Sequence, residues 1–114
     1  MTSGVTFTLD VMLYLEDCLD GMKKLEDSSV DAIVTSPPYN LNIKYGKYDD
    51  DKPRQEYLDW LVEIFREGKR VLKDDGHLFV NMGYSNVDPW VGIEVGLALR
   101  QDWILQNHIN WVKS

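Results

Sequence analysis

Apolar residues recur along the chain at a period of two in some stretches and of three to four in others, and the two periods predict different elements. Between Val5 and Glu16, the residues Val5, Phe7, Leu9, Val11, Leu13 and Leu15 share one face, the alternation of a strand or of two short strands. Leu19, Met22 and Leu25 follow at helical spacing and predict a short helix in spite of Gly21. Val30 to Ser36, "VDAIVTS", is a brief apolar run closed by Pro37 and Pro38, the pattern of a buried strand that ends in a loop. The loop beyond it is rich in Asn, Gly, Tyr and Asp. From Arg54 to Lys73 the positions Tyr57, Leu61, Ile64, Phe65, Val71 and Leu72 form a helical stripe, after a proline and ahead of "KDDG". His77 to Gly83, "HLFVNMG", predicts a second short buried strand. Pro89 suits the first position of a helix that reaches Arg100, and Trp103, Leu105, Ile109 and Trp111 alternate as a final strand.

Strands alternating with helices predict an α/β fold built on a mostly parallel sheet, with ligands at the carboxyl ends of its strands. Chemistry is therefore expected at the end of "VDAIVTS". With 114 residues, 44% of them hydrophobic, and no repeat or Gly/Ser linker, the chain reads as one domain, 1–114, without an internal boundary. Cys18 is the single cysteine, so no intrachain disulfide can form and a reducing compartment is favoured. No basic leader precedes an apolar core, and no apolar run approaches the roughly 20 residues of a membrane span. These features predict a cytoplasmic protein. The formal charge of −7 argues against a simple nucleic-acid binder, whose grip comes from clustered Lys and Arg.

The stretch "TSPPYN", Thr35 to Asn40, has the chemistry to orient an amine. The Ser36 hydroxyl and the carbonyls of Pro37 and Pro38 accept hydrogen bonds, while the prolines bring no N–H and fix φ. Such a rigid, acceptor-rich edge beside an aromatic ring suits a planar group with an exocyclic amine, its N–H donors on the acceptors and its ring on Tyr39. Acceptors on both N–H groups would hold the nitrogen nearer to tetrahedral and aim its lone pair at an electrophile.

"TSPPYN" resembles the catalytic motif of the DNA amino-methyltransferases, which move a methyl group from S-adenosylmethionine to N4 of cytosine or N6 of adenine. The resemblance extends through "LEDCLDGMKKLEDSSVDAIVTSPPYN", "VLKDDGHLFVNMG" and "LQNHINWVK". It implies a partial Rossmann-like methyltransferase fold. It also implies that Ser36 and the Pro37 carbonyl accept from the target amine within the catalytic set Ser36, Pro37, Pro38 and Tyr39, and that Tyr39 stacks on a flipped base. Asp17 would contact the cofactor adenine, with Cys18 lining the same pocket. Asn40, Trp111 and Lys113 would lie at the target-base pocket. Serine at position 36, where many relatives carry aspartate, favours cytosine N4.

No Gly-x-Gly occurs in the chain, although this family's cofactor site uses a glycine-rich turn. The early position of "TSPPYN" matches the subgroup in which that turn and the target-recognition region come later, so the expectation is an N-terminal catalytic part lacking both. In that fold two strands from the missing part separate the strand leading to Asp17 from the one leading to Ser36. A complementary C-terminal half, or self-association, is therefore expected to complete the sheet, since orphaned buried backbone groups cost about 1–3 kcal/mol each. The acidic balance agrees, since the basic DNA-reading surface would be on that other part. Competing readings are a methyltransferase acting on RNA or protein glutamine, whose motif usually has asparagine in place of Ser36, and a non-catalytic α/β interaction module or remnant.

The remaining chemistry-bearing residues have plainer readings. Asp17 is also suited to cap the helix that follows it, and Cys18 to pack as a small apolar residue. His77 and His108 have no zinc spacing, and no metal is expected. "YDDD", Tyr48 to Asp51, reads as a solvated loop with capping carboxylates. Gly92 and Gly96 read as close packing against the sheet, and Trp60, Trp90, Trp103 and Trp111 as core or interface residues.

Overall fold

The computed structural model describes residues 10–113. Its order is α1 (Cys18–Lys23), β1 (Val30–Thr35), α2 (Arg54–Val71), β2 (Leu72–Val80) and α3 (Val91–Leu99). Two parallel strands and flanking helices make this a small α/β unit. The periodicities over 19–25, 30–36 and 54–73 each mark an element. The long stripe buries Tyr57, Leu61, Phe65 and Val71 on one face of α2. Pro53 precedes that helix in an extended conformation, which its ring allows and its missing N–H does not penalise.

Arg70, near the end of α2, fastens α1 to it. Its guanidinium donates to the Met22 carbonyl at 2.8 Å, which also accepts from Leu25 N–H, and to the Leu25 carbonyl at 3.0 Å just past the end of α1. The same fork pairs with Glu67 and Asp27, and Glu67 and then Asp27 raise the Arg70 pKa further. Backbone bonds from Ser28 N–H to the Arg70 carbonyl and from Ser29 N–H to the Val71 carbonyl then lead the chain into β1.

β1 and β2 pair as Ile33 with Leu78, Val34 with Phe79 and Thr35 with Val80. Between Val30 and Ala32 the register shifts, and the shift absorbs Lys73 to Gly76 on β2. Gly76 is required there: a Cβ would come within 2.6 Å of Leu72 Cγ and 2.9 Å of the Asp31 carbonyl oxygen. The core centres on Tyr57, Leu61, Phe65, Val91 and Val95, with Leu78, Val80 and Met82 packed against it. Ile33 meets the same helix layer, where a Cβ on Gly68 would lie 3.1 Å from Ile33 Cδ1.

Several expectations are corrected. β1 and β2 are not buried strands: Val34 is 78% and Phe79 53% exposed, because the described helices cover only the opposite face. β2 begins at Leu72 rather than His77 and ends at Val80. The third helix starts at Val91 with Trp90 as its N-cap, so Pro89 precedes it and is not its first residue. The expected N-terminal strand falls partly on residues 5–9, outside the described residues. Its remainder, 10–15, forms no strand, and Leu13 and Leu15 are fully exposed. The expected closing strand over 103–111 is likewise absent. Alternation supplies an apolar face, but a strand also needs a neighbour for its N–H and C=O groups, and none of the described strands runs beside either segment.

Gly76→Ala is expected to destabilise the fold by about 1–3 kcal/mol, because the new methyl meets backbone that cannot rotate away. Urea denaturation followed by far-UV circular dichroism checks this, and an unchanged midpoint would contradict the close approach.

Candidate functional site

Parallel pairing brings the carboxyl ends of β1 and β2 side by side, and the residues just past each end meet. The Asn81 N–H donates to the Thr35 carbonyl at 2.9 Å, continuing the ladder one step beyond both strands. The Asn81 side chain then reaches Ser36 and Tyr39: Nδ2 is 3.2 Å from Ser36 Oγ and 2.9 Å from the Tyr39 hydroxyl. The Tyr39 ring rests on Gly83, where a Cβ would come 2.6 Å from both Cδ2 and Cε2. Ser36 is exposed, and Pro37, Pro38 and Tyr39 are half-buried.

The loop is fixed from below. Tyr57, fully buried in α2, donates its hydroxyl to the Pro38 carbonyl. That carbonyl is therefore taken by the core, whereas the Pro37 carbonyl has no hydrogen-bond donor among the described residues. Burial is the main cause that pushes the Tyr57 phenol well above its ordinary value, so it stays a donor. Asp50, 3% exposed, gathers three backbone N–H groups: Asn40 at 3.0 Å, Leu41 at 3.1 Å and Ile43 at 2.7 Å. Its own carbonyl accepts from Asn42 N–H at 2.8 Å. Asn40 and Asn42 hold φ of 60° and 59°, a left-handed conformation that asparagine tolerates better than most residues and that turns successive N–H groups inward. The Asn40 carboxamide closes the loop by exchanging two 2.8 Å bonds with the backbone of Lys52.

Expecting "YDDD" to be a solvated stretch is thus corrected at its middle carboxylate. Asp49 does cap Asp51 N–H in solvent, but Asp50 is buried because the turned backbone supplies donors that replace water. Tyr48 leans on Trp60 with ring centroids 5.1 Å apart, and Lys52 Nζ stands over both rings. The Tyr48 hydroxyl is buried without a partner among the described residues, and burial, then Asp50, push its pKa up to about 12. A cavity of about 570 Å³ opens beside this loop, lined in part by Asn40, Asn42, Lys52, Arg54 and Asp88.

Ser36, Pro37, Pro38, Tyr39 and Asn40 are thus brought together as one stiff edge. It offers the free carbonyl of Pro37, the oxygen of an exposed hydroxyl and an aromatic ring backed by glycine, a set that can orient a planar amine. Asp17 and Cys18 are elsewhere: Asp17 is the N-cap of α1, its Oδ1 accepting from Leu19 N–H at 2.9 Å. Cys18 is exposed, and desolvation followed by the Asp17 carboxylate raises its pKa. Trp111 is 80% exposed with Lys113 Nζ over its ring, and neither shares a hydrogen bond with the Ser36 cluster. The described residues do not fit S-adenosylmethionine as a complete site. Neither of the cavities beside α2 is lined by Asp17 or Cys18, and no glycine-rich turn faces one. Asn81, Asp50 and Tyr57 carry the geometry without a site role having been expected for them: the sequence placed Tyr57 on a helical stripe, Asp50 in a solvated loop and Asn81 within the second apolar stretch.

Residues 30–114 match a DNA methylase family, that of the N6/N4 methyltransferases. The chain belongs to this family. It is 37% identical over 113 residues to the type II methyltransferase M.MjaVI of Methanocaldococcus jannaschii, covering 96% of the chain and 54% of the relative. It is 42% identical over 109 residues to the type II methyltransferase M.BglII of Bacillus subtilis, covering 89% and 29%. It is 28% identical over 95 residues to the DNA adenine methyltransferase YhdJ of Escherichia coli, covering 83% and 31%. The chain therefore spans about half the length of the first relative and under a third of the other two.

Asp50→Ala is expected to cost on the order of 3 kcal/mol, since hydrogen bonds to a charged acceptor contribute about 1.5–3 kcal/mol each and the freed N–H groups recover water only in part. Amide exchange at Asn40, Leu41 and Ile43 should accelerate with it, and unchanged protection would contradict the clamp. Tyr48→Phe should leave stability at neutral pH equal or higher, because it removes an unpartnered hydroxyl. Between the ordinary phenol pKa of about 10 and the folded value of about 12, the unfolded chain releases the Tyr48 proton while the native state retains it. Stability through this group therefore falls as pH rises across that window, and alkaline denaturation should be shallower in Tyr48→Phe.

Proposed function

We propose that this chain is the methyl-accepting part of a DNA amino-methyltransferase. It would act in the cytoplasm on an exocyclic base amine, with cytosine N4 favoured over adenine N6. The observation that carries this reading is the Ser36 to Tyr39 edge at the carboxyl end of β1, within a chain of the N6/N4 methylase family. A base turned out of the duplex lays its ring on Tyr39, and its amine donates to Ser36 Oγ and the Pro37 carbonyl. Pro37 can serve because its oxygen is free, whereas Pro38 fixes the loop through Tyr57. These acceptors localise the nitrogen lone pair, and the proton leaves after alkylation, when the nitrogen has become strongly acidic. Asn40 continues the pocket wall.

S-adenosylmethionine is the methyl donor in this proposal, and most of its site belongs to a complementary C-terminal part or a second copy. That part would also supply the glycine-rich turn, the DNA-reading surface and the missing strands of a Rossmann-like sheet. Three features support the division: the bare sheet face at Val34 and Phe79, the segments 10–15 and 104–113, which pair with no described strand, and the fraction of each relative that the chain spans. Asp17 and Cys18 would meet the adenine end of the cofactor, and Trp111 and Lys113 would fold over the base once that part is present. The adenine reading keeps a place because the Escherichia coli relative bears that activity in its name.

The test is methyl transfer from radiolabelled S-adenosylmethionine to DNA, RNA and protein in parallel, using the purified protein that contains this chain, with the modified nucleoside identified by chromatography. Label in DNA as N4-methylcytosine is expected, and label in RNA or protein alone would refute the reading. Ser36→Ala and Tyr39→Ala should each lower turnover about 100-fold, the scale of losing one preorganised contact. Tight calorimetric binding of the cofactor by the 114 residues alone would refute the division of the site.

A further inference from the structure

We infer that Asn81 is a positioning residue for methyl acceptance. It locks the Ser36 hydroxyl and the Tyr39 ring into one unit carried by the end of β2. This rests on the amino-methyltransferase reading and adds to it a residue outside the Ser36 to Tyr39 motif.

Four contacts define the unit. Asn81 itself cannot drift, because its N–H is bonded to the Thr35 carbonyl at 2.9 Å, in register with the residue before Ser36. Its carboxamide nitrogen lies 3.2 Å from Ser36 Oγ and 2.9 Å from the Tyr39 hydroxyl, so one planar group spans both. Two residues later, Gly83 supports the ring at a height that no Cβ would permit. Segment 81–83 therefore holds the aromatic at its hydroxyl and along its Cδ2–Cε2 side, and a base would take the remaining ring surface.

The chemistry follows from the inventory of a hydroxyl, which has one proton and two lone pairs. The Asn81 N–H occupies one lone pair of Ser36 Oγ and so fixes the direction of the other. Without it, the exposed Ser36 hydroxyl turns freely among solvent partners and presents its proton to the incoming amine as readily as a lone pair. A donor facing a donor repels. The same amide, by holding the Tyr39 oxygen, sets the ring against which the base plane must lie. Asn81 touches neither the base nor the methyl group in this arrangement, so its effect passes entirely through Ser36 and Tyr39. It should therefore raise the rate of the methylation step in bound DNA, with little effect on how tightly DNA or cofactor binds.

A double-mutant cycle tests this in the purified protein that contains this chain. Asn81→Ala is expected to lower the single-turnover rate of DNA methylation about 10- to 100-fold with KM for DNA and cofactor within twofold of wild type. In a Ser36→Ala, Tyr39→Phe background the same substitution should change the rate by less than twofold, because nothing remains for the amide to hold. An equal loss in both backgrounds, or a loss confined to KM or to thermal stability, would overturn the proposal. A readout without activity runs alongside. The Asn81 side-chain amide protons should be protected from exchange, and should lose that protection in the Ser36→Ala, Tyr39→Phe variant. Wild-type protein that methylates no DNA would remove the parent reading, while unprotected Asn81 amide protons would remove this one whatever the activity.

Discussion

Everything at the candidate site depends on the parallel pairing of β1 with β2. Thr35 and Val80 face each other across the ladder, and the bond from Asn81 N–H to the Thr35 carbonyl extends it by one step. Two loops distant in sequence thereby leave the sheet at the same height. A shift of one residue would turn Asn81 to the opposite face of the sheet and break its contact with Ser36 and Tyr39. The register is set at its other end by the irregularity around Gly76, where Asp31 and Leu72 leave no room for a Cβ. α2 fixes the layer above, with Tyr57 joining the core to the Pro38 carbonyl. Thus a core tyrosine, a strand end and a bulge together determine where one serine hydroxyl stands.

The second constraint is the buried carboxylate of Asp50. A loop with two left-handed asparagines is costly in conformational entropy and in strain, and it persists only where its inward N–H groups find an acceptor. Asp50 is that acceptor, and the Asn40 carboxamide closes the ring against Lys52. The motif is stiff on both sides: proline rings restrict it internally, and the clamp restricts the chain that leaves it. In the proposed role such stiffness matters, since a loop that relaxed around the amine would give up the alignment of a weak nucleophile.

Much of this was legible in the sequence. The stripe of Tyr57, Leu61 and Phe65 marked α2, the apolar run closed by two prolines marked β1, and the acceptor-rich character of Ser36 to Tyr39 followed from residue chemistry alone. The rest was hidden for physical reasons. Alternation at 11–15 and 103–111 marks an apolar face but carries no information about whether a neighbouring strand exists. Three consecutive aspartates look alike, and only the φ values of Asn40 and Asn42 single out Asp50 for burial. Asn81 is an ordinary polar residue after an apolar run until pairing places it beside Ser36. Asp17 was legible as a helix cap, and the cap is the role its carboxylate performs here.

The contact between Tyr39 and Gly83 bears on how such a site can be rearranged. The ring belongs to the loop after β1 and its support to the segment after β2, so neither carries the geometry alone. Exchanging the "SPPY" loop with that of a relative whose second segment bears a side chain at the glycine position would bring in a ring with nowhere to rest. In this chain the heritable unit of the site is a pair of short segments more than forty positions apart, and recombination that divides them would separate a motif from the surface on which it works.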